Sequence, residues 1–301
     1  MQIKIATVSM AQEYRKPKDV EDNLTYIENL LKDISNIKPN IVALPETFPY
    51  VGLSIKARDV RDTDRIKQFM SSLARRYNTY LAGSAYDRRG ERIYNSLFIF
   101  NCKGEFVGKY DKIHPTEPEM EDGVSPGAKD QKPIDTEFGK IGCQICFDAN
   151  WSSYWKYQID NGAKLIIFSS AYPGGRMLNS IATLFNVFII ASTWGLKSGI
   201  IDKLGRWKVK TDRFSYWVWD RVELDTEVFH WDFQHDKPLE ILKKYGDKVK
   251  IESFEDEALF TVEPLTEEIK IEDIIREFNL LTYKNYIARA ENNQDRRRSG
   301  V

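Results

Sequence analysis

Apolar and polar residues alternate from Ile3 to Met10, the period of a strand with one covered face. The period then lengthens. Between Asp19 and Ile34 the apolar positions are Val20, Leu24, Ile27, Leu30, Leu31 and Ile34, which predicts a helix. Asn40 to Leu44 is short and wholly apolar past its first residue, as expected of a strand covered on both faces, and Pro45 ends it. A second helix is predicted over Asp64–Tyr77 and a strand over Tyr80–Tyr86. Arg88 to Gly90 reads as a turn into a strand at Ile93–Phe100, and Asn101 to Gly104 as a hairpin turn into Glu105–Tyr110. From Lys112 to Lys132, Pro115, Pro118, Gly123, Pro126 and Gly127 predict a loop. Beyond it come a strand at Lys140–Ile145, a helix at Trp151–Asp160 closed by Asn161-Gly162, and a strand at Lys164–Ser169. A helix at Arg176–Phe185, a strand at Val187–Thr193 and a hairpin at Ile200–Gly205 complete the series.

Strands that alternate with helices predict an α/β fold, and the hairpins make its sheets mixed. No internal repeat or low-complexity segment interrupts the pattern. Beyond Thr211 the chain becomes rich in tryptophan and acidic residues, with a helical pattern at Ile271–Tyr286. No Gly/Ser or Pro-rich linker precedes that change. The expectation is therefore one domain, with a core over 1–210 and a C-terminal extension over 211–301.

Composition removes whole classes of function. The formal charge of −1 leaves no electrostatic footprint for nucleic acid or an acidic membrane. The basic run Arg296–Arg298 lies in a polar end, Asn292 to Val301, that reads as a frayed, solvated tail. No apolar run approaches the ~18–20 residues that span a bilayer. Three cysteines, Cys102, Cys143 and Cys146, are too few and odd in number for a disulfide framework. Met1 to Ile5 enters a strand pattern without a basic and apolar leader, so the expected location is cytoplasmic.

Three segments carry candidate chemistry: Ile41-Val-Ala-Leu-Pro-Glu46, Lys109-Tyr-Asp-Lys112 and Gly142-Cys-Gln-Ile-Cys146. Each places a reactive group where an apolar, strand-like run ends. A buried cysteine is ordinarily a small apolar residue. Cys146, however, falls between a strand and a predicted helix, where backbone N–H groups can lower a thiol pKa and line an oxyanion site. The aromatic Phe147 and Trp151 follow it. Glu46 lies between an apolar run and Phe48-Pro49-Tyr50, and desolvation suits a carboxylate to base catalysis near neutrality. Lys112 opens the long loop, and such loops are often functional. For Glu117, Glu119 and Glu121 on that loop, the plain reading is a solvated acidic face. Cys143 and Cys146 spell C-x-x-C, but residues three apart on a strand point to opposite faces. No second pair exists, and His114, His230 and His235 lack ligand spacing, so Cys143 reads as core.

These segments, in this order, resemble the nitrilase superfamily of carbon–nitrogen hydrolases, with Gly162–Ala171, Asn186–Ala191 and Ser198–Gly205 adding to the likeness over about Ile3 to Val209. The resemblance implies a four-layer α-β-β-α sandwich, an assembly of two or more identical subunits, and an extension packed on the core or on a neighbouring subunit. It implies Cys146 as nucleophile, Glu46 as general base, Lys112 as stabiliser of the tetrahedral intermediate and the Phe147 N–H as its companion. It also implies a second active-site glutamate, Glu119, with Glu121 as competitor. No metal or organic cofactor is implied, and the partner is a small-molecule substrate. The implied reaction is cleavage of a small amide or N-carbamoyl compound through a Cys146 thioester. A nitrile substrate is the nearest alternative, and a non-catalytic binding protein on the same fold is another. Many amidase-type members continue after the cysteine with Phe-Pro-Glu and an arginine. This chain has Asn150-Trp-Ser-Ser-Tyr-Trp-Lys156 there, in a segment that the resemblance implies helps shape the acyl pocket, so the substrate specificity of those members is not carried over.

Overall fold

The computed structural model describes residues 1–300. They form two compact units, Ile3–Val222 and a smaller one made of Met1–Gln2 with the chain from Glu223 onward. In order, the larger unit contains β1 (Gln2–Val8), α1 (Val20–Ile34), β2 (Ile41–Ala43), α2 (Thr63–Arg76), β3 (Tyr80–Arg89), β4 (Arg92–Phe100) and β5 (Phe106–Asp111). It continues with α3 (Glu117–Glu121), β6 (Ile134–Thr136), β7 (Gly139–Ile145), α4 (Ser152–Asp160), β8 (Ala163–Ser170), α5 (Arg176–Phe185), β9 (Phe188–Thr193), β10 (Gly199–Ile201), β11 (Trp207–Lys210) and β12 (Trp217–Glu223).

Twelve strands make two six-stranded sheets, β12-β1-β2-β3-β4-β5 and β11-β10-β9-β8-β7-β6. Each has a parallel centre, β1-β2-β3 and β7-β8-β9, with antiparallel β4 and β5 beyond β3, and antiparallel β6 and β10-β11 on the two sides of the second centre. The β3–β4 ladder continues to Arg89–Arg92, so the reversal falls on Gly90, whose φ of +59° suits it, two residues beyond the expected start of the turn.

The two sheets meet face to face through hydroxyls that reach across to carbonyls. Thr7 Oγ1 donates to Ala191 O (2.9 Å), Ser192 Oγ to Val8 O (2.8 Å) and Ser169 Oγ to Leu44 O (2.9 Å). Short side chains let the central strands approach, and every buried hydroxyl named here has an acceptor. On the outer face of the first sheet, Leu24, Ile27 and Leu31 of α1 and Ile66, Met70 and Leu73 of α2 pack with Val42, Leu81 and Phe98. On the other, Trp155 of α4 and Leu178 and Ile181 of α5 pack with Ile166, Phe168 and Ile189. The layers are α-β-β-α, as expected.

The segment after Lys112 is not all loop. Thr116 caps α3: its Oγ1 accepts from Glu119 N (3.4 Å), while Glu119 Oε2 accepts from Thr116 N (2.7 Å). This reciprocal cap overrides Pro118, which is tolerated because it sits in the first turn, where a missing N–H leaves no helical bond unmade.

The smaller unit has its own sheet, ordered β13 (Glu227–His230), β15 (Leu259–Pro264), β14 (Val249–Phe254), with α6 (Lys237–Tyr245), α7 (Ile271–Glu277) and α8 (Tyr283–Arg298). Phe229, Ile241, Phe260, Val262 and Ile274 form its core. The change of unit falls at Glu223, not at 210/211, because β12 joins the first sheet beside β1. The helical pattern at Ile271–Tyr286 is two helices, separated where Asn279 takes a φ of +50° and Thr282 caps α8. The segment expected to be a frayed, solvated tail is exposed but helical as far as Arg298, with Arg298 paired to Asp295 one turn back and three arginines at the negative end of the helix dipole. Among the described residues no helix is long and apolar enough to cross a membrane.

Candidate active site

The larger unit gathers three strand ends. Glu46 follows β2 and is buried; the next residue, Thr47, adopts a φ of +41° and begins a turn over Phe48–Tyr50. Thr47 N–H donates to Ser84 Oγ (2.7 Å), and the Trp194 indole N–H donates to Glu46 O. Lys112 follows β5 and is 1% exposed. Its N–H donates to Asn95 O (2.8 Å), and its carbonyl accepts from Gly127 N (2.8 Å) as the loop returns. A Cβ at Gly127 would lie 2.4 Å from Asp111 O, so only glycine lets the loop close there. Cys146 follows β7 with a φ of +50°, opening a tight turn over Cys146–Asn150. Two non-glycine residues with positive φ, one at the thiol and one beside the carboxylate, mark stored strain of the kind found at functional sites.

The side chains converge. Glu46 Oε1 accepts from Lys112 Nζ (2.8 Å) and Asn95 Nδ2 (2.8 Å), and Oε2 accepts from Ala171 N (2.8 Å). Lys112 Nζ also donates to both oxygens of Glu119 (2.8 and 2.7 Å). Asn95 Nδ2 reaches Glu119 Oε1 as well (3.3 Å), while its Oδ1 accepts from Ser84 Oγ (2.9 Å). Burial works against charge on Lys112, but the Glu46 and Glu119 carboxylates together more than offset it and hold the ammonium above its usual range. For Glu119 burial pushes up and Lys112 pulls down harder; the net result lies below the usual carboxylate range. Glu119 is thus the glutamate at Lys112; Glu121 is exposed at the end of α3.

Glu46, Lys112 and the Ala171 N–H all lie close enough to the Cys146 thiol to bear on its protonation. Burial and the Glu46 charge push its pKa up to about 12, against the opposing pull of Lys112. The turn was expected to lower it. Desolvation and a neighbouring carboxylate outweigh Lys112 and the Ala171 N–H, which favours a neutral thiol beside a proton acceptor. Cys143, three residues earlier, is 1% exposed, its N–H donating to Gln158 Oε1 (2.7 Å). All three cysteines are free. The structure therefore brings Glu46, Lys112, Glu119 and Cys146 together, while the Phe147 side chain is 37% exposed beside them.

Two buried residues were not singled out by sequence reasoning. Asn95 holds both glutamates, and its only signal was an amide inside the apolar run of β4. Asp148 accepts from Tyr110 Oη (2.9 Å), His114 N (2.8 Å), His114 Nδ1 (2.9 Å) and Ile145 N (3.1 Å), tying the turn after Cys146 to the loop after Lys112. Its signal was a carboxylate two residues beyond the thiol in an otherwise apolar stretch. Among the described residues no group of three His, Cys, Asp or Glu side chains could hold a metal ion.

A base beside a thiol, with an ammonium within reach of both, can support attack on an electrophilic carbon. The model of the carbon-nitrogen hydrolase family matches residues 4–207. The omega-amidase NIT3 of Saccharomyces cerevisiae is 29% identical over 188 residues, 56% of this chain and 64% of that protein. The citrullinase of Francisella tularensis is 25% identical over 275 residues, 74% of this chain and 94% of that protein. The chain spans between half and two thirds of the length of the first curated relatives it matches. Among solved structures, a carbon-nitrogen hydrolase from Helicobacter pylori superposes with a TM-score of 0.66 at 18% identity, over 81% of this chain and 94% of that one, a likeness of fold.

Proposed function

The chain belongs to the carbon-nitrogen hydrolase family, and on that premise we propose that it hydrolyses a non-peptide carbon–nitrogen bond of a small amide or N-carbamoyl compound, with Cys146 as nucleophile. The observation that carries this reading is the single cluster in which Glu46 faces both the Cys146 thiol and the Lys112 ammonium.

The reaction balances on these groups. Glu46 takes the thiol proton as Sγ bonds to the carbonyl carbon and the C=O electron pair moves to oxygen. Lys112 turns a donor toward that oxyanion, and the Phe147 N–H at the strained turn is its companion. The oxyanion collapses, the C–N bond breaks, and Glu46 protonates the departing amine. Water then gives a proton to Glu46 and attacks the thioester. Collapse breaks the C–S bond, the proton returns to sulfur, and a carboxylic acid leaves. Glu119 and Asn95 hold Lys112 and Glu46 in place throughout.

Because one relative is named a citrullinase, N-carbamoyl compounds stand beside amides as candidates. The test is ammonia release from aliphatic and aromatic amides, N-carbamoyl amino acids and nitriles, with wild type and Cys146→Ala run side by side. Release by wild type alone is expected. Equal release by both proteins overturns the role of Cys146, and release from nitriles alone overturns the amide reading.

A further inference from the structure

We infer that Ser84 and Asn95 are positioning residues for the base: they close a hydrogen-bond circuit that starts on the Thr47 backbone and ends on the Glu46 side chain, occupying Oε1 and leaving Oε2 to take the thiol proton. This rests on Glu46 being the general base, as proposed above.

Donors and acceptors fix the direction of the circuit. Thr47 N–H can only donate, so Ser84 Oγ accepts it (2.7 Å) and has its one hydrogen for Asn95 Oδ1 (2.9 Å). With its oxygen held there, the Asn95 amide turns both hydrogens to the glutamates, at 2.8 Å to Glu46 Oε1 and 3.3 Å to Glu119 Oε1. The Asn95 carbonyl also accepts from Lys112 N (2.8 Å), so one residue ties both carboxylates to the backbone of the lysine. Ser84 and Asn95 are wholly buried, where such bonds are strong and a lost partner is costly. Thr47, where the circuit starts, has a φ of +41°. A strained residue persists where its surroundings over-determine it. Here the Ser84 hydroxyl holds its N–H, and the Trp194 indole holds the carbonyl of Glu46 before it.

The two oxygens of the base are thereby made unlike. Each carboxylate oxygen offers about two lone-pair sites. Oε1 fills both, with Lys112 Nζ and Asn95 Nδ2. Oε2 fills one, with the Ala171 N–H (2.8 Å), and keeps the other open. The same Ala171 N–H bears on the Cys146 thiol, so the open site lies on the side of sulfur. As Sγ attacks, its proton passes to Oε2 while Oε1 keeps its two donors.

The experiment measures how fast iodoacetamide alkylates Cys146 at neutral pH, by peptide mass mapping, in wild type, Glu46→Gln, Ser84→Ala, Asn95→Ala and Asn95→Asp. Sulfur bonds to the reagent's CH2 carbon, iodide leaves with the C–I pair, and the thiol proton goes to Glu46, so the rate reads the base without a known substrate. Asn95→Ala should slow it about tenfold or more, the scale of one hydrogen bond to a charged group. Ser84→Ala should slow it less, since Asn95 remains. Asn95→Asp keeps the size and the Ser84 bond but turns a carboxylate on Glu46 and Glu119. Like charges so placed retain a proton. This variant should therefore be slower than Asn95→Ala at neutral pH and regain ground on wild type as pH rises. The other titratable groups that bear on Glu46 are Lys112, Glu119, Cys146, Tyr86 and Tyr172, common to all five proteins; burial holds both tyrosines above their ordinary range. A role in shape alone predicts the reverse order, with Asn95→Asp close to wild type, and that result overturns the inference even if Asn95→Ala fails to fold. Wild-type rates in Ser84→Ala and Asn95→Ala, with Glu46→Gln slow, sink the circuit and leave the base standing. A wild-type rate in Glu46→Gln overturns the base, and the circuit with it.

Discussion

Cys143 and Cys146 stand three residues apart, both buried, both with thiols pushed well above the ordinary range. Burial alone does this to Cys143, which lies within β7 with its backbone in the ladder. Cys146 has left the strand, adopts a φ of +50°, and faces Glu46, Lys112 and the Ala171 N–H. The lesson is that neither burial nor a lowered pKa separates the proposed nucleophile from the core cysteine. A neutral thiol becomes a nucleophile when a base can take its proton at the moment of attack and a cation is at hand for the new charge.

The strongest way to break this comparison is to exchange the fates of the two cysteines. Cys146→Ala should fold and lose all thiol-dependent turnover, whereas Cys143→Ser should keep most of it. Iodoacetamide at neutral pH should modify Cys146 and leave Cys143 untouched, read by peptide mass mapping. Glu46→Gln should slow turnover by ~10²–10⁴-fold, the usual contribution of a positioned base. Rapid alkylation of Cys146 in that variant would mean that the thiol is activated by something other than Glu46.

Lys112 gives the next effect. Lys112→Ala should cost about 10²-fold or more in turnover, the scale of losing one oxyanion donor. It also leaves Glu46 and Glu119 facing each other unpaired, and breaking a buried pair typically destabilises by about 3–5 kcal/mol. The two effects separate in a Glu119→Gln background. There the loss of melting temperature should shrink while the loss of turnover persists. If turnover recovers together with stability, Lys112 is structural.

What the sequence made legible follows from the same contrast. Glu46, Lys112 and Cys146 were readable because each ends an apolar run, and a strand end delivers a side chain to the rim of a sheet. Both helical faces of the sandwich were readable from their 3.6-residue period. Asn95 was not, because its importance lies in two glutamates 49 and 24 residues away, a distance that no local pattern encodes. Asp148 stands two residues beyond the thiol but showed no role, since its four donors come from β5, the loop after it and β7. The brief α3 was hidden by prolines that disfavour helix in general and are harmless in a first turn. The shift in character at Thr211 was real in composition, but β12 follows it in the first sheet, because strand pairing, not composition, decides which unit a segment joins.

The smallest predicted effect is on stability at high pH, and it sharpens the comparison most. A thiol whose pKa is raised by folding stabilises the native state below its unfolded value and loses that contribution as pH rises toward its folded value. For Cys146 the window opens near the ordinary thiol value of 9.0 and extends to about 12. Cys143 is displaced in the same direction. The melting temperature should therefore fall above about pH 9, and less steeply in either Cys146→Ala or Cys143→Ala, with the tyrosines and lysines common to all variants cancelling in the difference. The two should then part in a Glu46→Gln background. Part of the Cys146 displacement comes from the Glu46 charge, so the difference made by Cys146→Ala should shrink there, whereas that made by Cys143→Ala, which owes everything to burial, should not. An equal response of both cysteines to the loss of Glu46 would mean that the carboxylate does not single out Cys146, and the distinction between a core thiol and a nucleophile would have to rest on access alone.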